Sequence, residues 1–228
     1  MKIGIIGTGN MGRAIGVRLA HMGHQVHFGS RSIERAKQAA EMAGEAALSG
    51  NAEDAARHGD VLFWTVRELD VRMVLKDCSL VDGKIIVDIN NRDYQTELQR
   101  GSWFAQSIAE TIQLSAPGAR VVKALNTIAM ETLDTDPDLL RRAGAQTFIA
   151  GDDASAKETV NTLLGQLGLT AVDLGEGAVS FRAIEALGDV IRLLIVSKGY
   201  GPRANLQLRM LPEPDLSMVG PRAASEYH

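Results

Sequence analysis

The residues in this sequence best suited to bind a charged ligand form a glycine-rich turn close to its start. Gly7, Gly9 and Gly12 have the spacing G-x-G-x-x-G, between an apolar run at residues 3–6 and a helical pattern that follows. In that context the first glycine permits a tight turn, the second lets the backbone approach a pyrophosphate, and the third lets helix and strand pack closely. The amide groups at the start of the helix also favour an anion. The turn is therefore predicted to bind the pyrophosphate of a dinucleotide; the alternative is a strand-to-helix turn that binds nothing.

A second group of polar residues indicates which dinucleotide would be bound. A fold of this type that prefers NAD places Asp or Glu about 20 residues beyond the glycines, where it accepts a hydrogen bond from the ribose. This sequence instead has Ser30, Arg31 and Ser32 there, with Arg35 one helical turn further on. Hydroxyl and guanidinium groups suit a 2′-phosphate, so these residues predict NADP(H). In the alternative interpretation Ser32 only caps the next helix and the two arginines are solvated surface; both roles are compatible.

A strand-then-helix pattern repeats along the chain and must position these two turns. It predicts an α/β fold: a Rossmann-type, doubly wound, mostly parallel sheet with a small C-terminal helical extension. We expect residues 1–175 to form an NADP-binding domain and residues 176–228 a C-terminal helix and tail. Strands are predicted at residues 3–6, 25–29, 61–66, 84–89, 120–125, 146–151 and 170–175.

Right-handed crossovers in such a sheet bring the carboxyl end of every strand to the edge where the cofactor binds. The ends of the third, fourth and fifth predicted strands should therefore frame the site. Lys123 is unusual inside an apolar strand, because a buried ammonium needs a partner. Either it forms an ion pair with Asp88 or it contacts a substrate. The residues at the three strand ends are Thr65, Val66 and Arg67, then Asn90 and Asn91, then Asn126 and Thr127.

Composition and charge exclude several other classes of protein. The net charge is -4 and the only basic block is Arg141-Arg142, so no nucleic-acid partner is expected. The longest apolar run, at residues 193–196, is too short to cross a bilayer, and the first strand begins so early that no signal peptide is expected. Cys78 is the single cysteine, and the five histidines lack ligand spacing, so no disulfide and no metal site are predicted. We expect a cytoplasmic location and no membrane partner.

The C-terminal region contains one strongly apolar helix. The helical pattern at residues 178–197 has an apolar stripe too wide for a half-exposed helix, which predicts that a second copy of the chain covers it in a homodimer. The proline-containing tail from Gly199 lacks periodicity, and we expect it to be an arm on the partner subunit or partly disordered.

Five groups of residues, taken in order, resemble the motifs of a known family. Together they resemble the NADPH-dependent reductases of the deazaflavin coenzyme F(420), and the related cytoplasmic reductase domains of membrane ferric reductases. The likeness covers about residues 1–196. The groups are Gly7-Thr8-Gly9-Asn10-Met11-Gly12, Gly29-Ser30-Arg31-Ser32, the sequence VVKALNTI at residues 121–128, Gly151-Asp152-Asp153, and the pair Arg182 with Glu185.

The resemblance implies roles for particular residues. It places the loops after the third and fourth predicted strands, which contain Thr65, Val66, Arg67 and Asn90, against the deazaflavin. It implies that Thr8, Asn10 and Met11 line the pyrophosphate, that Ser30, Arg31, Ser32 and Arg35 hold the 2′-phosphate, and that Lys123, Ala124 and Asn126 lie near the nicotinamide.

The predicted function is hydride transfer between NADPH and a small-molecule acceptor, either the deazaflavin coenzyme F(420) or a flavin-like molecule. Such a transfer depends on alignment of two carriers, so no catalytic side chain and no metal are predicted. One alternative is an NADPH-dependent dehydrogenase or reductase of a small carbonyl or imine, in which Lys123 or Tyr94 would supply a proton. Another is an NADP-binding protein without turnover.

Overall fold

The computed structural model describes residues 1–91 and 106–213. Strands and helices alternate through the first two thirds of the chain. The strands are β1 (Lys2–Ile6), β2 (Gln25–Gly29), β3 (Leu48–Gly50), β4 (Val61–Trp64), β5 (Ile85–Asp88), β6 (Arg120–Lys123), β7 (Gln146–Gly151) and β8 (Thr170–Asp173). The helices are α1 (Asn10–His21), α2 (Ile33–Ala43), α3 (Ala52–His58), α4 (Val71–Val74), α5 (Ile108–Ser115), α6 (Met130–Leu133), α7 (Pro137–Arg142), α8 (Ala154–Gln166) and α9 (Gly177–Arg192).

The strands form one sheet in the order β3-β2-β1-β4-β5-β6-β7-β8. Every neighbouring pair is parallel except β6 and β7, which are antiparallel. The predicted doubly wound, mostly parallel sheet is therefore confirmed. The expectation that every strand ends at the same edge is wrong for β7 and β8. The chain joins β6 to β7 through α6 and α7, of four and six residues, rather than through one long helix that returns it to the other edge.

One strand was not predicted, and one predicted helix extends outside the described residues. The three-residue strand β3 was not predicted, because it is too short to show periodicity, yet it pairs with β2 from His27 to Gly29. The amphipathic pattern at residues 101–114 predicts a helix, which is observed as α5, and residues 101–105 lie outside the described residues. The helix starts with a capping box. The Ser107 hydroxyl accepts a hydrogen bond from the backbone N–H of Glu110, and the Glu110 carboxylate accepts one from the backbone N–H of Ser107.

Helices cover both faces of the sheet. Buried residues of α1, α2 and α8 form a core cluster on one face, and buried residues of α3, α5 and α9 form a second cluster on the other. Phe181 and Ile184 of α9 belong to the second cluster and Ile191 is also buried, whereas Val179 and Val190 are exposed. The chain itself thus covers part of the apolar stripe that predicted a homodimer. The homodimer and the boundary at residue 175 remain predictions.

The tail that follows α9 is tied to the rest of the chain over its described part. The backbone N–H and C=O of Gln146 bond to the side-chain amide of Asn205, and the side chain of Gln146 bonds to the backbone of Leu208. The tail thus contacts its own subunit at Asn205 and Leu208, and Pro214 and Pro221 lie outside the described residues. None of the helices in residues 1–91 and 106–213 is long and apolar enough to cross a bilayer.

His27 on β2 gives the fold a predicted dependence on pH. Burial lowers the pKa of His27 below its ordinary value of 6.5, His58 of α3 acts in the same direction, and Asp54 of α3 opposes them. Its Nε2 atom is buried, with no hydrogen-bond partner in the described part of the chain. Below pH 6.5 the unfolded chain binds a proton at this residue that the folded chain does not yet accept, so stability is lost as the pH falls towards the folded pKa.

Urea unfolding above and below pH 6.5 measures this effect. His27→Phe, which has no titratable group, is expected to flatten the acid side of the stability profile. An equal slope in the variant and the natural chain would contradict the assignment to His27.

Candidate functional site

The glycine-rich turn is held in place by hydrogen bonds from two neighbouring strands. Gly7 has a φ of 108°, and its N–H donates to Gly29 O at 2.8 Å. The Thr65 hydroxyl lies 2.9 Å from both Ile6 O and Gly7 O. A Cβ at Gly12 would lie 2.2 Å from Gly7 O, so the helix could not approach the strand this closely with any other residue. The chain's own packing therefore requires glycine at positions 7 and 12.

Gly9 has no such explanation inside the protein. Its backbone is extended, with φ -69° and ψ -178°, and no atom lies within 4 Å of the position that a Cβ would take. Helix α1 begins there without a side-chain cap and without an acidic residue in its first turn, whereas α2, α3, α5 and α8 are capped by side chains. Open space beside uncapped amides is the arrangement that admits a phosphate group. Thr8 is buried, Asn10 is exposed and Met11 packs against the core.

The second predicted turn lies directly beside the first, because Ile6 and Gly29 are paired across β1 and β2. Ser30 N donates to Gly50 O, and the Ser32 hydroxyl accepts from Arg35 N at 3.4 Å as the N-cap of α2. The capping role of Ser32 is therefore confirmed. Arg31 is exposed, as is Arg35, and within the described residues neither side chain has a hydrogen bond or ion pair. Two guanidinium groups without a protein partner fit a dianionic phosphate.

Lys123 is enclosed in an ion cluster. Its ammonium lies 2.7 Å from Asp88 Oδ2 and 3.4 Å from Glu185 Oε1, and it donates to Asn90 O. The side chains of Lys123 and Asp88 are 0% exposed and that of Glu185 is 1% exposed. Glu185 Oε1 also accepts from Ile108 N at the start of α5, where the helix dipole favours an anion. The predicted ion pair with Asp88 is confirmed, and the ammonium faces acceptors of the protein.

Side-chain amides join the ends of β5 and β6 to each other and to α9. Asn90 Nδ2 donates to Trp64 O and to Asp88 Oδ1. Asn91 Nδ2 donates to Asn126 O at 2.7 Å, and Asn126 Nδ2 donates to Ile184 O at 2.8 Å. Leu125, directly before Asn126, is the one non-glycine residue of the described chain with a positive φ, 59°. A strained, fully buried position of this kind is typical of a functional site.

A small cleft of about 140 Å³ lies between this amide network and the end of α9. Two buried polar atoms at the cleft residues, Asn126 Oδ1 and Thr127 Oγ1, have no hydrogen-bond partner in residues 1–91 and 106–213. Apolar walls with a few unsatisfied polar groups are typical of a binding site. A larger cavity of about 570 Å³ includes Met22, next to the other end of α1. The small cleft is lined by Asn91, Asn126, Thr127, Ile128, Ala129, Ile191, Arg192 and Ile195.

The remaining predicted residues lie around the same edge. Val66 packs against the second core cluster, close to Gly7, while Arg67 is exposed. Ala124 is buried, and its N–H donates to Asp88 O. Tyr94 lies outside the described residues. That each of these residues contacts a cofactor remains a prediction.

Arg182 and Glu185, for which the motifs alone indicate no role, anchor α9 in the structure. Arg182 forms two hydrogen bonds with the Glu110 carboxylate, at 3.0 and 2.9 Å. Burial alone would raise the pKa of Glu110, but the hydrogen bonds from Arg182 and Ser107 outweigh it and hold that pKa below its ordinary value. The two residues are one helical turn apart, which places them on one face of α9. That spacing was the signal available in the sequence.

A doubly wound sheet with an open glycine-rich turn and a basic loop beside it defines a dinucleotide-binding protein of the Rossmann class. Residues 2–92 match the family described as NADP oxidoreductase, coenzyme F(420)-dependent. The resemblance predicted from the motifs is therefore confirmed: the chain is similar to the F(420)-dependent NADP reductases and to the metalloreductases.

Three comparisons show the extent of this relationship. The F(420)-dependent NADP reductase of Methanothermobacter marburgensis is 29% identical over 231 residues, which cover 93% of this chain and 100% of the relative. Metalloreductase STEAP3 of Rattus norvegicus is 34% identical over 189 residues, 82% of this chain and 36% of the relative. A crystal structure of a candidate F(420)-dependent NADP reductase from Arthrobacter sp. fb24 has a TM-score of 0.78 at 29% identity, covering 92% of this chain and 100% of that chain. The chain spans about a third of the length of the metalloreductases it matches.

Proposed function

We propose that this chain binds NADPH and transfers hydride between it and an acceptor at the cleft, either the deazaflavin coenzyme F(420) or a flavin-like molecule. The observation that carries the proposal is the open space at Gly9 next to Arg31 and Arg35, on the same edge of the sheet as the cleft. The match over the whole length of the Methanothermobacter reductase supports a deazaflavin acceptor. The metalloreductases support it less, since only about a third of each is matched.

In this proposal the protein contributes alignment. NADPH supplies the hydride when it is bound. The amides at the start of α1 hold the pyrophosphate, and Arg31 and Arg35 hold the 2′-phosphate, which fixes the cofactor along the carboxyl edge of the sheet. Asn126 Oδ1 and Thr127 Oγ1 are unpaired acceptors of cleft residues that a polar ring edge could satisfy, and the apolar cleft walls exclude water. Holding two carriers in contact can supply much of the rate enhancement without a side-chain acid.

The alternative reaction, reduction of a small carbonyl or imine, needs a proton donor. Lys123 is a poor one here, because Asp88, Asn90 and Glu185 surround its ammonium. Tyr94 lies outside the described residues and stays a candidate. An NADP-binding protein without turnover is the remaining alternative.

Arg31→Ala is expected to weaken the binding of NADPH far more than that of NADH. Losing a charge-assisted hydrogen bond costs about 1.5–3 kcal/mol, or roughly 10- to 150-fold in the dissociation constant, and only NADPH has the phosphate that makes this bond. Fluorescence titration of both cofactors measures the change. Arg142→Ala is the matched control, since Arg142 is an exposed arginine on α7. Equal losses for NADPH and NADH would contradict the assignment of the 2′-phosphate.

The acceptor is tested by mixing the natural protein and NADPH with coenzyme F(420), FMN, a quinone and a ferric chelate, and by following NADPH oxidation. Turnover with the deazaflavin or with FMN is the expected result. Turnover only with added carbonyl or imine compounds would favour the alternative enzyme, and tight NADPH binding without any turnover would favour the non-catalytic protein.

We further propose that the chain forms a homodimer and acts in the cytoplasm. Val179, Val190 and Val196 on and after α9 are exposed apolar side chains that a second copy could cover. A single cysteine and the absence of a membrane-spanning helix in the described residues are compatible with the proposed location.

A further inference from the structure

Gly188 is a glycine in the interior of α9, where glycine weakens a helix. A Cβ at this position would lie 2.2 Å from Asn91 Oδ1 and 2.6 Å from Asn126 Nδ2. The missing side chain therefore lets the helix backbone lie directly against the two amides at the ends of β5 and β6. Any other residue would force the helix or the amides to move.

The same two amides hold the helix at this distance and also line the cleft. Asn126 Nδ2 donates to Ile184 O, one turn before Gly188, while Asn91 bonds to Asn126 through both its amide nitrogen and its oxygen. One turn after Gly188, Ile191 and the residues that follow form the other wall of the cleft. The depth at which α9 docks at Gly188 thus sets the width of the cleft.

The turns predicted to bind NADPH are held by different contacts. Gly7 and Ser30 are fixed by bonds to Gly29 and Gly50, and Thr65, directly after β4, holds the glycine-rich turn. These contacts belong to the opposite half of the sheet from α9. A small movement of α9 is therefore expected to change the acceptor site and to leave in place the turns that bind the pyrophosphate and the 2′-phosphate of NADPH.

We propose that Gly188 is a positioning residue for the hydride acceptor: its missing side chain lets α9 dock on Asn91 and Asn126 and so fixes the cleft that receives the acceptor. This inference rests on the proposed function for the identity of the ligand. The docking of α9 at Gly188 is independent of the proposed function, because it is measured without any ligand.

The test compares Gly188→Ala with Gly165→Ala. Gly165 lies in α8 with no atom within 4 Å of its Cβ position, so alanine there tests the general effect of replacing a helical glycine. With coenzyme F(420) as the probe acceptor, Gly188→Ala is expected to lower kcat/KM for the acceptor on the order of 10- to 100-fold, because small misplacements of reactants have effects of this size. In both variants the dissociation constant of NADPH is expected to stay within about twofold of the value for the natural protein, far from the tenfold change that 1.4 kcal/mol would cause.

Hydrogen exchange of the protein without ligands provides the second readout. Amides of α9 are expected to exchange faster in Gly188→Ala and at the natural rate in Gly165→Ala. The Asn91→Ala substitution removes the side-chain oxygen that the new Cβ at position 188 would meet first. Adding Gly188→Ala to the Asn91→Ala variant is therefore expected to accelerate exchange less than adding it to the natural protein. That non-additivity is the signature of a direct contact.

Three results would overturn the proposal: α9 exchange in Gly188→Ala equal to that in Gly165→Ala, additive effects with Asn91→Ala, or parallel losses of NADPH and acceptor binding. If the natural protein turns over no acceptor although it binds NADPH, the proposed function fails for this acceptor. The exchange data then still support or overturn the role of Gly188 in docking α9.

Discussion

Replacing Lys123 by methionine is expected to lower the free energy of unfolding by about 3–5 kcal/mol, the cost of removing one partner from a buried ion pair. Methionine has a similar length, so the main change is the loss of the ammonium. Asp88 and Glu185 would then lack their cation partner in a site where both side chains are almost fully buried. Asn90 O would also lose its donor, so the loop after β5 is expected to loosen. Urea denaturation monitored by circular dichroism measures the change.

Two further variants separate the ion cluster from a general effect of losing a lysine. Lys157→Met removes a partly exposed pair with Asp173 and is expected to cost less than about 1 kcal/mol. Lys123→Met/Asp88→Asn neutralises one of the two stranded carboxylates and is expected to recover part of the loss. If Lys123→Met costs no more than Lys157→Met, the ammonium does not hold this cluster together.

Gly12→Ala and Gly9→Ala are expected to affect different properties, although the two residues belong to one motif. The first is expected to lower stability and the second to weaken NADPH binding. At Gly12 the added Cβ would lie 2.2 Å from Gly7 O and 2.7 Å from Thr65 Oγ1. Overpacking typically costs about 1–3 kcal/mol, and the upper end or more is expected here because the obstacle is backbone that cannot rotate away. Unfolding by urea is expected to show this loss in Gly12→Ala.

At Gly9 the added Cβ meets no protein atom, and the backbone conformation is one that alanine adopts. Gly9→Ala is therefore expected to keep its stability within about 1 kcal/mol, the scale of an N-cap change. Its NADPH dissociation constant is expected to rise on the order of tenfold or more, because the methyl group occupies the space left for the pyrophosphate. Normal NADPH binding by Gly9→Ala would show that this turn does not receive the phosphates.

The sequence by itself determined the parts of this protein that depend on neighbouring residues. The glycine spacing identified the first turn because the φ of Gly7 and the close approach at Gly12 are local requirements of that turn. Ser32 was identified as a helix cap because capping joins residues three apart. Strand and helix order followed from apolar periodicity, which gave the doubly wound sheet and, from it, the edge on which the site lies.

Only the tertiary structure decided which distant residues meet at that edge. The antiparallel direction of β7 depends on the path of α6 and α7 and has no periodic signal. Glu185 bonds to an amide 77 residues away, and Asn126 to a carbonyl 58 residues away. The role of Gly188 likewise exists only as a distance between a helix and two amides of other elements. Local patterns set backbone conformation, but contacts across such separations depend on how deeply α9 packs on the sheet, and that depth is fixed by the whole set of packed elements.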